Sequence, residues 1–407
     1  MPAAEASAKR NDAPPAATGW ESLRAAFRRR VGAFLETLPD RNPCLVVDLE
    51  TVRGNYRDLA EAMPGSDIYY AIKANPAPEI VRLLAAQGAG FDVASPWEID
   101  LVLDQGIAPE RVSYGNTIKK EADIGYAYRR GIRLFAVDCL PEVEKIARAA
   151  PGARVFCRLL VDNKGAEWPL SRKFGCDPEM AAEVLESAAR AGLVAHGVSF
   201  HVGSQQPDPK AWDSAIAASA ALFKALAARG IHLAMLNLGG GFPARYLKDV
   251  PTAATYGRAI NASLRHHFGE KAIRTAIEPG RFVVGTAGII RSEVVLVSKK
   301  SAADTLTWVY LDIGKFTGLA ETMDESIRYP ITTPRDGDPK IPCIVAGPTC
   351  DSVDVLYEKT PYPLPRTLQP GDKIWIESAG AYTSAYAADC FNGFEPPKTY
   401  CIPALRI

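Results

Sequence analysis

Residues 66–78 read SDIYYAIKANPAP, and the pattern that predicts the fold begins here. Residues 68–72 form an apolar, aromatic run of the kind that makes a buried strand, and the run stops abruptly at Lys73. A stretch of helical periodicity follows at 79–87. A buried strand that ends on a lysine and leads into a helix is the first unit of a repeating strand–helix pattern.

Seven more predicted strands follow the first one along the chain, and all but the last are followed by a helical pattern. The eight predicted strands are DIYYAIKA (67–74), GFDVAS (90–95), VSYGN (112–116), LFAVD (134–138), RVFCRLL (154–160), GVSFHVG (197–203), MLNLGGG (235–241) and RTAIEPG (274–280). Helical patterns lie at 79–87, 96–105, 120–130, 141–149, 178–191, 210–229 and 255–268. Eight strands with interleaved helices favour a closed (β/α)8 barrel over an open doubly wound sheet.

The sequence on either side of these units predicts three further regions. Residues 1–19 are Ala/Pro-rich and are expected to be a disordered tail, and 20–43 form a helical segment with an amphipathic helix at 20–38. The barrel domain is assigned to 44–280. It begins with the strand CLVVDLE (44–50), which lies before the eight barrel strands. Residues 281–407 change to β-rich runs separated by Pro, Gly and Asp, which predicts a C-terminal antiparallel β domain.

Composition narrows the possible partners. The 47 Lys and Arg residues balance 47 Asp and Glu residues, so no positive excess is available for nucleic acid or an anionic membrane. No apolar run approaches the roughly 18 residues of a membrane span, and the first residues lack the apolar core of a signal peptide. Eight scattered cysteines without a C-x-x-C pair suit a reducing compartment. We therefore expect a cytoplasmic protein.

Polar residues stand where six of the eight predicted strands end. In a β/α barrel, chemistry gathers at the carboxyl ends of the strands. The residues are Lys73, Asp92, Arg158, His201 with Ser204, the run Gly239-Gly240-Gly241, and Glu278 with Arg281. These side chains are the candidate functional residues.

Each candidate has a structural and a functional interpretation. The stem of Lys73 could cover apolar surface while its ammonium reaches water, or Lys73 could be a Schiff-base lysine whose pKa is lowered by burial. Glu278 could be an ion-pair partner, or it could hold a protonated pyridine nitrogen. Asp92 could cap the next helix. Arg158 ends an apolar run, and a buried guanidinium requires an anionic partner.

The remaining strand-end features suit a flat, phosphorylated ligand. His201 could be a core histidine or could stack on a planar ring. The run NLGGGFP (237–243) presents backbone N–H groups without side chains, which suits a phosphate. It lacks the G-x-G-x-x-G spacing of a dinucleotide site. With five histidines and no H-x-x-x-H or H-E-x-x-H pattern, no metal site is expected.

These motifs together resemble a known family. YYAIKAN, GFDVAS, FHVGSQ, NLGGGFP, EPGR, GPTCDSVD and GAYTSAYAADCFNGF occur in this order in the fold-type III pyridoxal-phosphate decarboxylases, which have an alanine racemase-like fold. The sequence is most similar to the ornithine decarboxylase branch in its bacterial ornithine/lysine form. The resemblance extends from Pro43 to Tyr400.

The resemblance implies a role for each candidate. Lys73 would carry pyridoxal 5'-phosphate, Glu278 would pair with its ring nitrogen, and His201 would stack on the ring. The phosphate would be held by Ser204, Gly240, Gly241, Arg281 and Tyr382, with Asp92 and Arg158 in support. Cys350 and Asp351 would reach the partner's site across a homodimer interface, where Cys350 reprotonates the substrate carbon and Asp351 binds the distal ammonium.

The implied reaction is decarboxylation of L-ornithine to putrescine, in polyamine biosynthesis, extending to L-lysine and cadaverine. One position departs from the family pattern. Ile313 stands where eukaryotic ornithine enzymes have a second acid, and Asp312 lies one place earlier. Asp312 is therefore a candidate substrate ligand, although neighbouring strand residues face opposite sides and a bulge or register shift would be needed. The choice between ornithine and lysine stays open.

Three other functions known for this barrel fit the sequence less well than ornithine decarboxylation. Diaminopimelate decarboxylase typically has an acid directly after the cysteine in a C-E-S pattern, whereas this chain reads TCDSVD. Alanine racemase needs a second base, which no motif suggests. A catalytically inactive binding homologue is disfavoured because Lys73, Cys350, Glu278 and the glycine run are all retained.

Overall fold

The computed structural model describes residues 19–38, 43–168, 173–269 and 273–403. Residues 1–18, which make up nearly all of the predicted tail, lie outside the described residues. Helix α1 (Gly19–Leu35) confirms the predicted amphipathic helix and ends three residues before its predicted end at 38. The chain divides into two units, residues 1–39 and residues 40–407, and every element below belongs to the second. The first of these is strand β1 (Cys44–Asp48).

A closed parallel barrel forms the first half of the second unit. Its eight strands pair in chain order and the last pairs with the first, as predicted. They are β2 (Ser66–Ala71), β3 (Gly90–Val93), β4 (Val112–Tyr114), β5 (Leu134–Val137), β6 (Arg154–Arg158), β7 (Val194–Ser199), β8 (Met235–Asn237) and β9 (Arg274–Ile277). The barrel-strand predictions are therefore confirmed.

Helices precede, connect and follow the barrel strands. They are α2 (Leu49–Ala62), α3 (Pro78–Ala86), α4 (Pro96–Leu103), α5 (Glu121–Arg129), α6 (Leu140–Ala149), α7 (Pro178–Arg190), α8 (Asp213–Ala227), α9 (Ala253–Phe268) and the single turn α10 (Arg281–Val284). Seven of them were predicted. Helix α2 was missed: Asp48 caps it by accepting from the Thr51 N–H at 3.3 Å, so Leu49 and Glu50 belong to the helix and not to the predicted strand.

The C-terminal domain is an eight-stranded, mostly antiparallel sheet. Its strands are β10 (Gly288–Ser298), β11 (Thr307–Leu311), β12 (Ile331–Thr332), β13 (Lys340–Ala346), β14 (Val355–Pro365), β15 (Lys373–Glu377) and β16 (Lys398–Ile402), joined by β1. The strand order is β12-β15-β10-β11-β13-β14, with β1 between β10 and β16. The pairs β11–β13 and β1–β16 are parallel.

Strand β1 corrects the predicted start of the barrel domain. Residues 44–48 pair with β10 and β16, so they belong to the C-terminal sheet although they precede the barrel in the chain. All five residues are buried, as suits a strand paired on both edges within a sheet. Residues 281–287 depart from the predicted β pattern as well, because α10 and a short 3-10 turn occupy them before β10 begins.

A cluster of large and small apolar side chains fills the barrel interior. They are Tyr69, Leu134, Ala136, Phe156, Met235 and Ala276. A filled interior leaves the carboxyl ends of the strands as the place where polar side chains converge. Within the described ranges, no helix is both long and apolar enough to cross a membrane.

Candidate active site

A cleft at the carboxyl ends of the barrel strands collects most of the predicted residues. Nine of the ten residues assigned above to a cofactor line it, all except Arg158. The full lining is Ala71, Lys73, Asp92, His201, Ser204, Gly240, Gly241, Phe242, Glu278, Gly280, Arg281 and Tyr382. Residues from 71 to 382 thus meet at one mouth.

Lys73 stands at the end of β2 in a single 3-10 turn, Ile72–Ala74. Its side chain opens to the cleft, while protein atoms surround it on the other sides. Burial acts to lower the pKa of Lys73, but nearby negative groups, led by the Asp92 carboxylate, outweigh burial and raise it. The expected lowered pKa is therefore not found in the protein alone. The surroundings of Lys73 instead favour a positive charge on its nitrogen.

Asp92, on β3, is the main source of that negative potential. Burial, reinforced by the charge of Glu278, raises the pKa of Asp92 well above its usual range. Its Oδ1 atom is buried and makes no hydrogen bond among the described residues. Gly115 leaves the necessary room, since a Cβ there would overlap the carboxylate. Asp92 does not cap α4, because Ser95 accepts from the Glu98 N–H in that role.

Arg158 ends β6 without lining the cleft. Burial lowers the pKa of its guanidinium, and the negative charges of Glu278, Asp138 and Asp92 act against this. The guanidinium carbon lies 5.4 Å from the ring centre of Phe174. Arg158 therefore contributes positive potential from the side of the mouth.

His201 is a neutral ring with a fixed orientation. Burial, together with the positive charges of Arg158 and Lys73, lowers the pKa of His201 well below its usual range. Its Nδ1 atom accepts a hydrogen bond from the Gly203 N–H at 3.0 Å. The proton of the neutral imidazole therefore sits on Nε2, and the ring is locked in place.

The glycine run crosses the mouth where side chains would not fit. A Cβ at Gly240 would lie 2.7 Å from the Glu278 carbonyl oxygen and 3.1 Å from Nε2 of His201. At Gly241, which has φ of +104°, it would lie 2.7 Å from the Gly203 carbonyl oxygen. Within the part of the chain that the structure describes, the N–H groups of Gly240 and Gly241 donate to no protein atom. They are available to an anion in the cleft.

Glu278 is positioned by a residue that the sequence analysis missed. The side-chain amide of Asn237, at the end of β8, donates to Oε1 of Glu278. The amide oxygen of Asn237 accepts from the Gly239 N–H at 2.9 Å. The Glu278 N–H donates to the Gly239 carbonyl, also at 2.9 Å. One asparagine therefore links the carboxylate to the glycine run.

Arg281 is held from several directions at the opposite edge of the cleft. Its guanidinium makes a buried bidentate ion pair with Glu321, with Nη1 to Oε2 at 2.7 Å. Nη1 also donates to the Tyr246 hydroxyl at 2.6 Å, and Nη2 donates to the Ser204 hydroxyl at 3.2 Å. Glu321 comes from the β domain and was also missed, because the two partners lie 40 positions apart in the sequence.

The turn at Tyr382 ties the β domain to the segment that carries Lys73. The Tyr382 N–H donates to the Ala74 carbonyl at 2.7 Å. The Asn75 side chain donates to the Gly380 carbonyl at 2.9 Å. The ring of Tyr382 lies 4.9 Å from the guanidinium carbon of Arg281. The mouth is therefore completed by the second domain of the same chain.

Cys350 and Asp351 lie apart from this cleft. Both are exposed, and neither belongs to its lining. The Cys350 N–H donates to the Asn392 side chain at 3.0 Å, and Asp351 accepts from the Val353 N–H at 3.0 Å. Asp354 fixes the base of the loop by accepting from the Thr349 hydroxyl at 2.7 Å. The loop is thus ordered by the chain itself, yet it faces outward.

Asp312 is not available as a substrate ligand. Its Oδ1 accepts from the Ser292 hydroxyl at 2.6 Å and from the Glu293 N–H at 2.9 Å, which attaches it to β10. Ile313 is fully buried in the apolar core. The assignment of Asp312 to the substrate is corrected on this geometry: its carboxylate is bound within the β domain and does not line the cleft.

The chain is similar to known proteins over most of its length. Residues 49–285 match the family model described as the pyridoxal-binding domain of the pyridoxal-dependent decarboxylases. The chain belongs to this family. The lysine/ornithine decarboxylase of Selenomonas ruminantium is 36% identical over 88% of this chain and 90% of that protein. Antizyme inhibitor 2 of Xenopus laevis is 33% identical over 89% of this chain and 82% of that protein.

A solved structure extends the similarity to both domains. The lysine/ornithine decarboxylase of Vibrio vulnificus, complexed with cadaverine, superposes with a TM-score of 0.82 at 33% identity, covering 95% of this chain and 99% of that one. A second structure of that enzyme contains putrescine. The matches confirm the predicted family and the barrel followed by a β domain. This chain is accordingly a pyridoxal-phosphate-dependent decarboxylase.

The residues of the mouth fit pyridoxal phosphate. A primary amine for the aldehyde, a carboxylate for the ring nitrogen and free N–H groups for the phosphate are all present in one cleft. Asp92, whose Oδ1 atom is buried and makes no hydrogen bond among the described residues, lines the same cleft as Lys73. A raised pKa at Lys73 agrees with this chemistry, since the imine nitrogen that a lysine forms with an aldehyde can also carry a positive charge.

Proposed function

We propose that this enzyme is a homodimer that decarboxylates L-ornithine and L-lysine. The proposal is supported above all by the separation of two sets of residues, a cofactor cleft inside one chain and an exposed Cys350–Asp351 loop that does not line it. A second copy of the chain would bring the loop of one protomer to the cleft of the other. The names of the relatives supply the two substrates.

Exposed apolar residues around the mouth support the dimer. Trp97, Ile118 and Leu160 follow barrel strands β3, β4 and β6, and they are 62%, 52% and 48% exposed. Val353, beside Asp351, is 57% exposed. Large apolar side chains at the rims of both parts of a divided site suit burial in a protein interface.

Each residue of the mouth has a proposed task. Lys73 would hold the cofactor through its primary amine. Glu278 keeps the ring nitrogen protonated, and the neutral His201 packs on the ring. Ser204, Tyr382, Arg281 and the Gly240–Gly241 N–H groups hold the phosphate. Asp92 and Arg158 set the potential around Lys73.

Bound pyridoxal phosphate supplies an electron-accepting ring that takes up the electrons of the broken Cα–carboxylate bond. The partner's Asp351 binds the distal ammonium of the substrate and so fixes which bond is broken. The partner's Cys350 then donates its Sγ proton to the carbon that has lost carbon dioxide. The product is a diamine.

Substrate length is the open choice within this proposal. Neither Ile313 nor Asp312 provides a second carboxylate, so Asp351 alone binds the distal ammonium of the substrate. A one-methylene difference is worth only about 1–3 kcal/mol in a binding site. Both ornithine and lysine are therefore proposed substrates.

All eight cysteines are free thiols, which supports the proposed cytoplasmic location.

Amine formation from an equimolar mixture of L-ornithine, L-lysine, L-arginine and meso-diaminopimelate, with added cofactor, tests the proposal by mass spectrometry. We expect putrescine and cadaverine and no agmatine. Agmatine, or labelled lysine formed from isotopically labelled meso-diaminopimelate, as the main product would contradict the substrate assignment. No turnover at all would favour a binding protein, a role that the similarity to an antizyme inhibitor keeps in view.

A further inference from the structure

We propose that Asn237 is the positioning residue that aims the Glu278 carboxylate at the cofactor ring. The inference rests on the proposed role of Glu278 and adds to it a residue that none of the implied roles includes. Asn237 is 2% exposed and does not line the cleft, so it acts through its neighbour.

The orientation of the Asn237 amide is determined by its two hydrogen bonds. Its oxygen must face the Gly239 N–H, because an amide nitrogen cannot accept that bond. The nitrogen must then face Oε1 of Glu278. A donor aimed at a carboxylate stabilises the ionised form.

The same bonds couple the two ends of the cofactor site. Gly239, with φ of +68°, begins the turn that exposes the N–H groups of Gly240 and Gly241. A Cβ at Gly239 would overlap the Phe200 carbonyl, so the turn is confined to this path. Asn237 thus fixes the carboxylate for the ring nitrogen and the start of the phosphate cradle with a single side chain.

Asn237→Asp separates these two functions. The carboxylate keeps an acceptor for the Gly239 N–H but replaces the donor to Glu278 with a second negative charge. We expect the acid limb of the pH–kcat profile, and of the visible absorbance of the bound cofactor, to move to higher pH. Hydrogen bonds to charged groups predict a loss of kcat of about tenfold or more at neutral pH. Cofactor affinity, measured by quenching of apoenzyme fluorescence, should change little.

Three comparisons keep the test decisive. Asn261→Asp makes the same chemical change on α9, where the amide donates to the Ala62 carbonyl at 3.4 Å, and should leave both profiles unchanged. Asn237→Ser retains an acceptor for Gly239 without adding a charge, and should lower kcat with a smaller pH shift. In a Glu278→Gln background, Asn237→Asp should have no further effect on either profile.

The outcomes distinguish this inference from the proposed function. If Glu278→Gln lowers kcat but Asn237→Asp and Asn237→Ser leave the pH profiles and kcat of the enzyme unchanged, Asn237 is not the positioning residue. Full additivity of the Asp and Gln substitutions would also overturn it. If Glu278→Gln itself has no effect, the proposed role of Glu278 fails instead.

Discussion

The barrel mouth and the Cys350–Asp351 loop differ in how far their side chains are buried and held by hydrogen bonds. In the mouth, charged groups are surrounded by protein and oriented by partners such as Asn237, Glu321 and the Gly203 N–H. The loop makes defined backbone hydrogen bonds, but Cys350 and Asp351 are both exposed. The predicted cofactor residues therefore converge within one chain, whereas Cys350 and Asp351 would reach a cleft only in the proposed dimer.

The largest expected effect comes from the mouth. Lys73→Ala removes the amine that bonds to the cofactor, so we expect loss of the visible cofactor absorbance and of nearly all turnover. The absorbance spectrum after dialysis, read beside the steady-state rate, checks this. Normal activity in the variant would contradict the cofactor assignment.

The loop should respond differently. Cys350→Ala removes the proposed proton donor but no group of the cofactor cleft, so cofactor affinity should be unchanged. General acid catalysis predicts a fall in kcat of about 10²-fold or more, with aberrant products. Rate and product analysis by mass test this. Unchanged kcat and product would remove the acid role, and Cys390→Ala, another exposed cysteine, is the matched control.

Stability should separate the two regions as well. Glu321→Ala leaves the buried guanidinium of Arg281 without its bidentate partner, which predicts a loss of about 3–5 kcal/mol in the free energy of unfolding. Asp351→Ala removes an exposed carboxylate and should leave that free energy within about 0.5 kcal/mol. Urea unfolding of both variants measures the difference. Equal stabilities would contradict the contrast.

The smallest effect lies at the opposite end of the barrel. Burial, with help from Arg154 and Arg274, lowers the pKa of His196 from 6.5 to about 4. The unfolded chain therefore takes up the proton first, and stability is lost as pH falls through this window. His196→Gln should flatten the dependence of unfolding free energy on pH between these values. An unchanged slope would show that His196 does not titrate as described.

The fold was largely predictable because its signals are local. Six of the eight predicted barrel strands have a candidate functional residue at their end, and seven of the helices have their own periodicity. Strand β1 was placed with the wrong domain because its pairing with β10 and β16 joins distant parts of the chain. Asp48 and Thr51 are the local signal that would have revealed helix α2.

The site was predictable only for residues that carry motifs. Asn237 stood within the quoted glycine motif, as a polar residue ending an apolar strand, and could have been found there. Glu321 had no such signal, since it meets Arg281 only through the packing of the two domains. The raised pKa of Lys73 likewise depends on carboxyl groups that different strands bring together. Asp312 failed because its hydrogen bonds to β10 are not visible in the sequence.

Complementation between two inactive variants tests whether each active site is shared by two subunits. Lys73→Ala and Cys350→Ala chains are coexpressed and purified together through two different affinity tags. Because a mixed dimer contains one intact site, random pairing predicts about a quarter of wild-type activity in the total pool, and about half in the doubly purified mixed dimer. Activity no greater than that of the separate variants would contradict the shared site.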